Sequence, residues 1–456
     1  MQGIEHFYNY LFYKMKLKLQ NILKVASADI ELGGLTVITG ENDSGKSTVG
    51  KILFSTLKAA NNVNQIDKVN TLGLLRGLLS SIKRLFYRFE QDVHILGNIK
   101  SLSIDLIEKN VSVQEFSSII EEEAKKCNFT TRTFAILQKY IVQIQQYIAE
   151  LDNPVLAVKR EFEIISKSEF MEPLNSHGKE FSTIEFHDDT TDATGSGIKM
   201  KFENGELIDV AIQGSSSIED VTYIESPVYL HILNTLRFYS SVPTISFSGI
   251  SNSPQRGDIP YHLADMAEKI LSTQDEILGL FDNYNAINNK SLLKEISSLI
   301  GGDFTVDKKN KQLFFKRDGN DIPTVSVASG IKSFGVLLRL IQADCVSTSK
   351  MLVIDEPEIH LHPEWQIAFC KFIVELVSKG IPIVVSSHSP YFIQGLRYFA
   401  AAKGIEKDVI YYMAEQNENG LSTFNNVTDD LNKVFTLLAA PLHEIMNVDA
   451  VRNSLK

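Results

Sequence analysis

Residues 35–60 constrain the chain more than any other stretch. Leu35-Thr36-Val37-Ile38-Thr39 is a short, β-branched apolar run with the make-up of a buried strand. Gly40-Glu41-Asn42-Asp43-Ser44-Gly45-Lys46-Ser47-Thr48 follows at once, and residues 49–60 carry helix-compatible spacing. The loop fills every position of G-x-x-x-x-G-K-[ST]. Glycines let such a loop turn its backbone N–H groups inward onto phosphate oxygens, and the next helix adds its positive N-terminus. Gly40, Asn42, Asp43, Ser44, Gly45, Lys46, Ser47 and Thr48 are therefore candidate phosphate-binding residues. Lys46 is placed to reach the β- and γ-phosphates of a nucleotide, and Ser47 to hold Mg²⁺. The competing explanation is a chance match in a glycine loop; the strand before it and the helix after it argue against that.

Met351-Leu352-Val353-Ile354-Asp355-Glu356-Pro357 supplies what such a loop needs. Four apolar residues make a buried strand that delivers two carboxylates at its C-terminal end, where open α/β sheets bind ligands. Asp355 is a candidate Mg²⁺ ligand through water, and Glu356 a candidate general base for an attacking water. The plain alternative is a strand ending in solvated acids before a proline turn. Val384-Val385-Ser386-Ser387-His388-Ser389-Pro390 ends the next strand in the same way. His388 is expected beside the γ-phosphate, although a histidine after a strand is commonly just a satisfied surface or core residue.

The rest of the chain narrows the class. With 456 residues it has enough length for two to four domains. A net charge of −11, from 45 Lys plus Arg against 56 Asp plus Glu, excludes a general coat for nucleic acid and leaves only local patches. Two such clusters stand out: Lys308, Lys309, Lys311, Lys316 and Arg317, and Lys83, Arg84 and Arg88; solvated faces explain charge clusters equally well. The three cysteines lie far apart, which speaks against a disulfide framework and a Cys-based zinc site. No run of 18 apolar residues occurs, and residues 1–13 do not read as a signal peptide, so a soluble cytoplasmic protein without membrane contact is expected.

Residues 14–32 alternate as strands do. Between 61 and 170 Gly and Pro become sparse, and amphipathic segments at 72–98, 112–126 and 132–151 predict a compact helical insertion. Strand-like alternation returns over 181–225, with Asn204-Gly205 as a hairpin turn. Residues 227–300 look mainly helical around a loop at 248–254, and 304–327 predict a hairpin turning at Asp318-Gly319-Asn320. Helix, strand, helix and strand then alternate from 331 to 386, the pattern of a parallel α/β sheet.

These motifs in this order, with Val327-Ala328-Ser329-Gly330-Ile331-Lys332 opening a helix upstream of Asp355, resemble the ABC-type ATPases, which include SMC-, RecF- and OLD-type proteins. Asp355-Glu356-Pro357-Glu358-Ile359-His360-Leu361-His362-Pro363 is most similar to soluble bacterial AAA family ATPases, many of which partner a nuclease or toxin in anti-phage defence. The resemblance spans about residues 16–60 and 223–390. It implies an α/β fold: an ABC-type P-loop ATPase head, with a mixed β lobe plus a parallel-sheet core and a helical insertion. The implied boundaries are 14–60 with 171–226 for a first lobe, 61–170 for the insertion, 227–400 for a second lobe and 401–456 for an α/β tail.

By the same resemblance the cofactors are ATP and Mg²⁺, hydrolysed and held with Glu356, His388 and Lys46 as catalytic residues. Ser329 and Gly330 belong to a signature loop that reaches the γ-phosphate held by another subunit; Ala328 stands where a serine is usual, which implies slow hydrolysis unless Ser329 substitutes. A Ser-Gly helix cap explains the same residues without function. Glu225, after the strand Tyr223-Ile224, stands where a metal-proximal glutamine is common. Residues 358–362 form a loop expected at the dimer interface, and His360 and His362 alternatively make a weak metal pair. The implied partners are a second copy stacked head to tail or a higher homo-oligomer, a nuclease or toxin effector, and DNA or a phage-derived trigger. The alternative is a RecF- or SMC-like ATPase of DNA repair or maintenance. A self-contained OLD-type nuclease is disfavoured, because the stretch after His388 is short for an added nuclease domain and offers only Asp429, Asp430 and Asp449 as acids. A transporter ATPase is disfavoured by the insertion and the Glu358–His362 sequence.

Overall fold

The computed structural model describes residues 15–65, 68–89, 99–103, 106, 111–127, 129–189, 195–233, 235–236, 259–272, 290–307 and 309–446. The loop at 248–254, Lys308, Asp449 and the stretch 1–13 lie outside them. The described chain divides into two compact units, one drawn from Met1–Lys58 with Phe162–Lys456, the other from Ala59–Glu161.

The first unit begins with β1 (Met15–Ile22) and β2 (Val25–Leu32), an antiparallel pair in which Leu17 faces Ile30 and Leu19 faces Ala28. Met15, Leu17 and Leu19 are buried while Lys18 and Gln20 are exposed, which is why the polar alternation reads as a half-covered strand. β3 (Leu35–Gly40) is buried along its whole length and runs into the glycine loop and α1 (Lys46–Gln65).

The second unit is helical. It takes in the end of α1, α2 (Lys68–Phe89), α3 (Val113–Lys126), α4 (Thr131–Asp152) and the start of α5 (Pro154–Phe170). Ser112 caps α3 by accepting from the Glu115 N–H at 3.2 Å, satisfying one donor that a helix start leaves open. Leu78, Ile82 and Phe86 of α2 and Leu137 and Ile144 of α4 recur at helical spacing and are fully buried, so the unit has its own apolar core.

Back in the first unit, β4 (Phe181–Asp188), β5 (Ser196–Glu203) and β6 (Glu206–Gln213) form an antiparallel ladder, with β4 also paired to β1. Asn204 and Gly205 make the β5–β6 turn at φ 50° and 85°, a left-handed pair that the Asn-Gly sequence favours. β7 (Asp220–Ile224) follows, then α6 (Tyr261–Leu271) and α7 (Lys290–Ile300). Residues 303–323 form a three-stranded meander, β8 (Asp303–Val306), β9 (Leu313–Arg317) and β10 (Asn320–Pro323), where the sequence predicts one hairpin; β8 is too short to announce itself. The remaining elements are α8 (Ser329–Gln342), β11 (Lys350–Asp355), α9 (Pro363–Val377), β12 (Ile383–Ser387), α10 (Pro390–Lys403), β13 (Val409–Gln416), β14 (Ser422–Asn426) and α11 (Asn432–Met446).

Among the described residues eleven strands share one sheet, ordered β6-β5-β4-β1-β2-β14-β13-β3-β12-β11-β7. The run β13-β3-β12-β11-β7 is parallel throughout and forms the core; the antiparallel β1-β2 and β4-β5-β6 side makes the mixed lobe. Leu352 and Ile354 of β11 and Ile383 and Val385 of β12 join one apolar cluster with Phe334 of α8, Phe369 and Phe372 of α9 and Phe392 of α10. Phe334 meets Trp365, Phe369 and Phe372 edge-on at 5.1–5.7 Å, a geometry that fixes how α8 lies on α9.

Candidate active site

Three parallel strands, β3, β12 and β11, end side by side and bring the glycine loop, His388 and the Asp355-Glu356 pair to one edge of the sheet. The loop's shape depends on its glycines. Gly40 has φ +149° and Gly45 φ +82°, and a Cβ at Gly40 would lie 3.0 Å from the Ala414 carbonyl oxygen. Asp43, at φ +64°, is tied down by an ion pair to Lys24 and by Gln416, whose amide donates to the Asp43 carbonyl at 2.8 Å. Asn42 is exposed on the loop and Thr48 is half-buried in the first turn of α1. Lys46 is 4% exposed, and its ammonium donates back to the carbonyls of Gly40 at 3.1 Å and Glu41 at 2.7 Å. Burial lowers its pKa, opposed by the nearby Glu356 and Asp355 carboxylates.

Asp355 is held from two sides. Its Oδ2 accepts from the Tyr223 hydroxyl at 2.7 Å, and its Oδ1 accepts from the Ser386 hydroxyl. Glu356 stands at φ +46°, a left-handed conformation unusual for a side chain of this size, held by its N–H donating to the Ser386 carbonyl at 3.0 Å. Its Oε1 lies 3.3 Å from His388 Nδ1. Glu225 follows β7 directly and is anchored by His262 Nε2 at 3.1 Å, the Tyr229 hydroxyl at 3.4 Å and Lys51 Nζ at 3.6 Å. The His262 hydrogen bond is the leading cause that holds the Glu225 carboxyl down at about 2.

Ser47, Glu225, Asp355, Glu356 and His360 line one cavity of about 380 Å³, joined by Ser333 of α8. Ser329 and Gly330 lie at the start of that helix and are not part of this lining; a Cβ on Gly330 would meet Trp365 at 3.2 Å. Ala328 is the N-cap of α8 and makes no side-chain cap. His362 caps α9 by accepting from the Glu364 N–H at 3.4 Å, which gives it a structural task. Among the described residues no group of three or more His, Cys, Asp or Glu could by itself hold a metal ion.

Sequence reasoning placed Glu358 in a loop expected at a dimer interface and missed its hold on the loop after β12. Its side chain turns inward, 5% exposed, and Oε1 accepts from the Ser387 hydroxyl at 2.7 Å and from the N–H groups of His388 and Ser389 at 2.8 and 3.1 Å. Nothing local in the sequence signals a link between these two loops. Tyr223 and Ser386 were likewise not singled out for their hold on Asp355.

The residues fit a nucleotide with Mg²⁺. A Cβ at Gly40 would crowd the Ser44 hydroxyl at 3.1 Å, that hydroxyl is buried in the loop without a hydrogen-bond partner, and the donors near Ser47 are the hard oxygens that Mg²⁺ prefers. A buried strand that runs through a glycine loop into a helix, within the parallel run of the sheet, gives the fold and site the layout of a P-loop α/β protein.

The chain belongs to the AAA ATPase domain family, which matches residues 15–393. It is 33% identical over 81 residues to the OLD nuclease of Thermus scotoductus (strain ATCC 700910 / SA-01), which is 16% of this chain and 15% of that protein, so it aligns with only a small part of that relative's length. Among solved structures it is similar to the SMC head domain from Thermotoga maritima, at 12% identity and a TM-score of 0.38, over 91% of this chain and 99% of that one. It is also similar to an SmcHead bound to the C-winged helix domain of ScpA, at 10% identity and a TM-score of 0.41, over 92% and 99%. No helix of the described residues is long and apolar enough to cross a membrane.

Proposed function

We propose that this chain binds ATP with Mg²⁺, hydrolyses it to ADP and phosphate, and uses the cycle as a nucleotide-gated clamp between copies of itself in the cytoplasm. The contact that carries the proposal is Glu356 Oε1 against His388 Nδ1 at 3.3 Å, at the ends of adjacent strands and beside the Lys46 loop. Lys46 and the loop N–H groups bind the β- and γ-phosphates. Ser47 and Asp355 hold Mg²⁺, with Glu225 at its margin. When bound, Mg²⁺ neutralises phosphate charge. Glu356 takes a proton from the attacking water, and His388, 40% exposed in its side chain, orients Glu356 and the terminal phosphate.

Two copies stack head to tail, so that the Ser329-Gly330 turn of one meets the phosphates held by the other. The missing side-chain cap at Ala328 supports this, because it leaves first-turn N–H groups of α8 uncapped and available to an anion. The clamp controls a nuclease or toxin partner in a defence complex, triggered by DNA or a phage-derived signal. The named OLD nuclease relative supports an association with nuclease chemistry.

Light scattering on the Glu356→Gln protein, with and without ATP and Mg²⁺, tests the clamp. An ATP-dependent rise in mass, absent in Lys46→Ala, is expected. A mass indifferent to ATP overturns the gated clamp, and normal hydrolysis by Glu356→Gln overturns its role as base.

A further inference from the structure

Behind the cavity wall three aromatic rings meet, Phe54 of α1, Tyr223 of β7 and His262 of α6, all essentially fully buried. The Tyr223 and His262 ring centroids are 4.9 Å apart, edge to face, and Phe54 lies 6.1 and 6.3 Å from them. Gly50 makes room for this contact: a Cβ there would sit 3.0 Å from Tyr223 Cε2. Each polar ring then reaches forward to a carboxylate of the cavity. The Tyr223 hydroxyl donates to Asp355 at 2.7 Å, and His262 Nε2 meets Glu225 at 3.1 Å.

The imidazole is itself anchored. Its Nδ1 lies 2.7 Å from Glu169 Oε2, and its backbone N–H donates to Glu169 Oε1 at 2.8 Å. Glu169 is buried at the end of α5, within the same compact unit. An ionised carboxylate only accepts, so a ring facing one on each side donates from both nitrogens. Lys51 completes the charge balance, 3.6 Å from Glu225 and 4.0 Å from Glu169.

We propose that Tyr223 and His262 form one positioning layer, with Glu169 as its anchor, that fixes the Asp355 and Glu225 carboxylates toward Ser47 and so sets the affinity for Mg²⁺. The proposal rests on reading the cavity as the nucleotide and Mg²⁺ site. Neither ring faces the reacting atoms; both act through the carboxylates they hold. A carboxylate has four lone-pair sites, and Tyr223 and Ser386 each occupy one on Asp355, which pins its plane while leaving sites for the cavity side. Partners that orient ligating groups typically change metal affinity about 10–100-fold when removed. A layer that served folding alone would not distinguish nucleotide binding with Mg²⁺ from binding without it.

The test uses the full chain as wild type, Tyr223→Phe and Glu169→Gln, with a fluorescent ATP analogue bound in EDTA and across a Mg²⁺ titration. Tyr223→Phe keeps the ring and its packing and removes only the hydroxyl. It is expected to bind the analogue in EDTA as wild type does, and to need about tenfold more Mg²⁺ for half-maximal enhancement. Glu169→Gln is expected to shift the Mg²⁺ requirement in the same direction by a smaller factor. Unchanged Mg²⁺ requirements in both variants overturn the layer, as does an equal loss of affinity with and without Mg²⁺, which would mark damage to the phosphate loop. A wild-type chain that binds no analogue overturns the nucleotide reading instead, and the layer with it.

Discussion

The Glu358 carboxylate accepts a hydrogen bond from the backbone N–H of His388 at 2.8 Å, so the loop after β11 holds the loop after β12 in place. Ser387 and Ser389 donate to the same oxygen. One buried side chain thus sets where the imidazole stands relative to Glu356.

Glu358→Ala removes the acceptor for three donors, two of them backbone. An unsatisfied buried donor costs about 1–3 kcal/mol, so a loss of about 3 kcal/mol in stability is expected. Hydrolysis should fall more than nucleotide affinity, since His388 drifts while the Lys46 loop stays. Thermal melts and steady-state turnover check both; an unaltered turnover would show that His388 needs no such hold.

Ala328→Ser separates two roles for one position. A serine at this N-cap should stabilise α8 by about 1 kcal/mol through its hydroxyl. If the segment is a signature loop, turnover should also rise severalfold. A higher melting temperature with unchanged turnover would leave only the cap.

Gly50→Ala sets helix propensity against packing. Propensity alone favours alanine by about 1 kcal/mol. The new Cβ, however, would lie 3.0 Å from Tyr223 Cε2 and 3.1 Å from Val353 Cγ1, and Tyr223 is pinned by its bond to Asp355. Overpacking of this kind costs about 1–3 kcal/mol, so a net decrease in melting temperature is expected. A more stable variant would mean that β7 gives way easily.

Stability should fall in acid through Asp220. Burial opposes its charge, but Lys269 and Lys58, both at 2.7 Å, outweigh that and hold its carboxyl down at about 2, below the unfolded value of 3.8. The sign follows: a depressed folded pKa stabilises above the unfolded value, and that stabilisation is lost as pH falls from about 4 through about 2. Asp220→Asn should cost about 3 kcal/mol at neutral pH and flatten part of the acid slope in melts between pH 5 and 2. A parallel slope in the variant would assign the acid sensitivity elsewhere.

Much of the site was legible because its chemistry sits in contiguous motifs at strand ends. Residues 40–48, Asp355, Glu356 and His388 are each readable from a few neighbours, and three parallel strands carry them to one sheet edge. What holds them was not legible. Tyr223 and Asp355 are 132 positions apart, and Glu358 and His388 are 30 apart, so only the folded sheet reveals either pair. Strand order was hidden for the same reason. The sequence offers 401–456 only as an α/β tail, without telling that its strands β13 and β14 pair with β3 and β2.

That placement bears on how the protein is made. β3, which delivers the glycine loop, has β12 on one side and β13 on the other; Leu35 pairs with Ile383 and gains its second partner only in Val409. A ribosome needs on the order of half a minute to travel from Leu35 to Val409. Until it does, the strand under the loop is an open edge, and the Ala414 carbonyl that packs against Gly40 does not yet exist. A nascent chain therefore carries the full glycine-loop motif long before the strand beneath it is flanked on both sides, and the loop's final shape waits on the order of its own sheet.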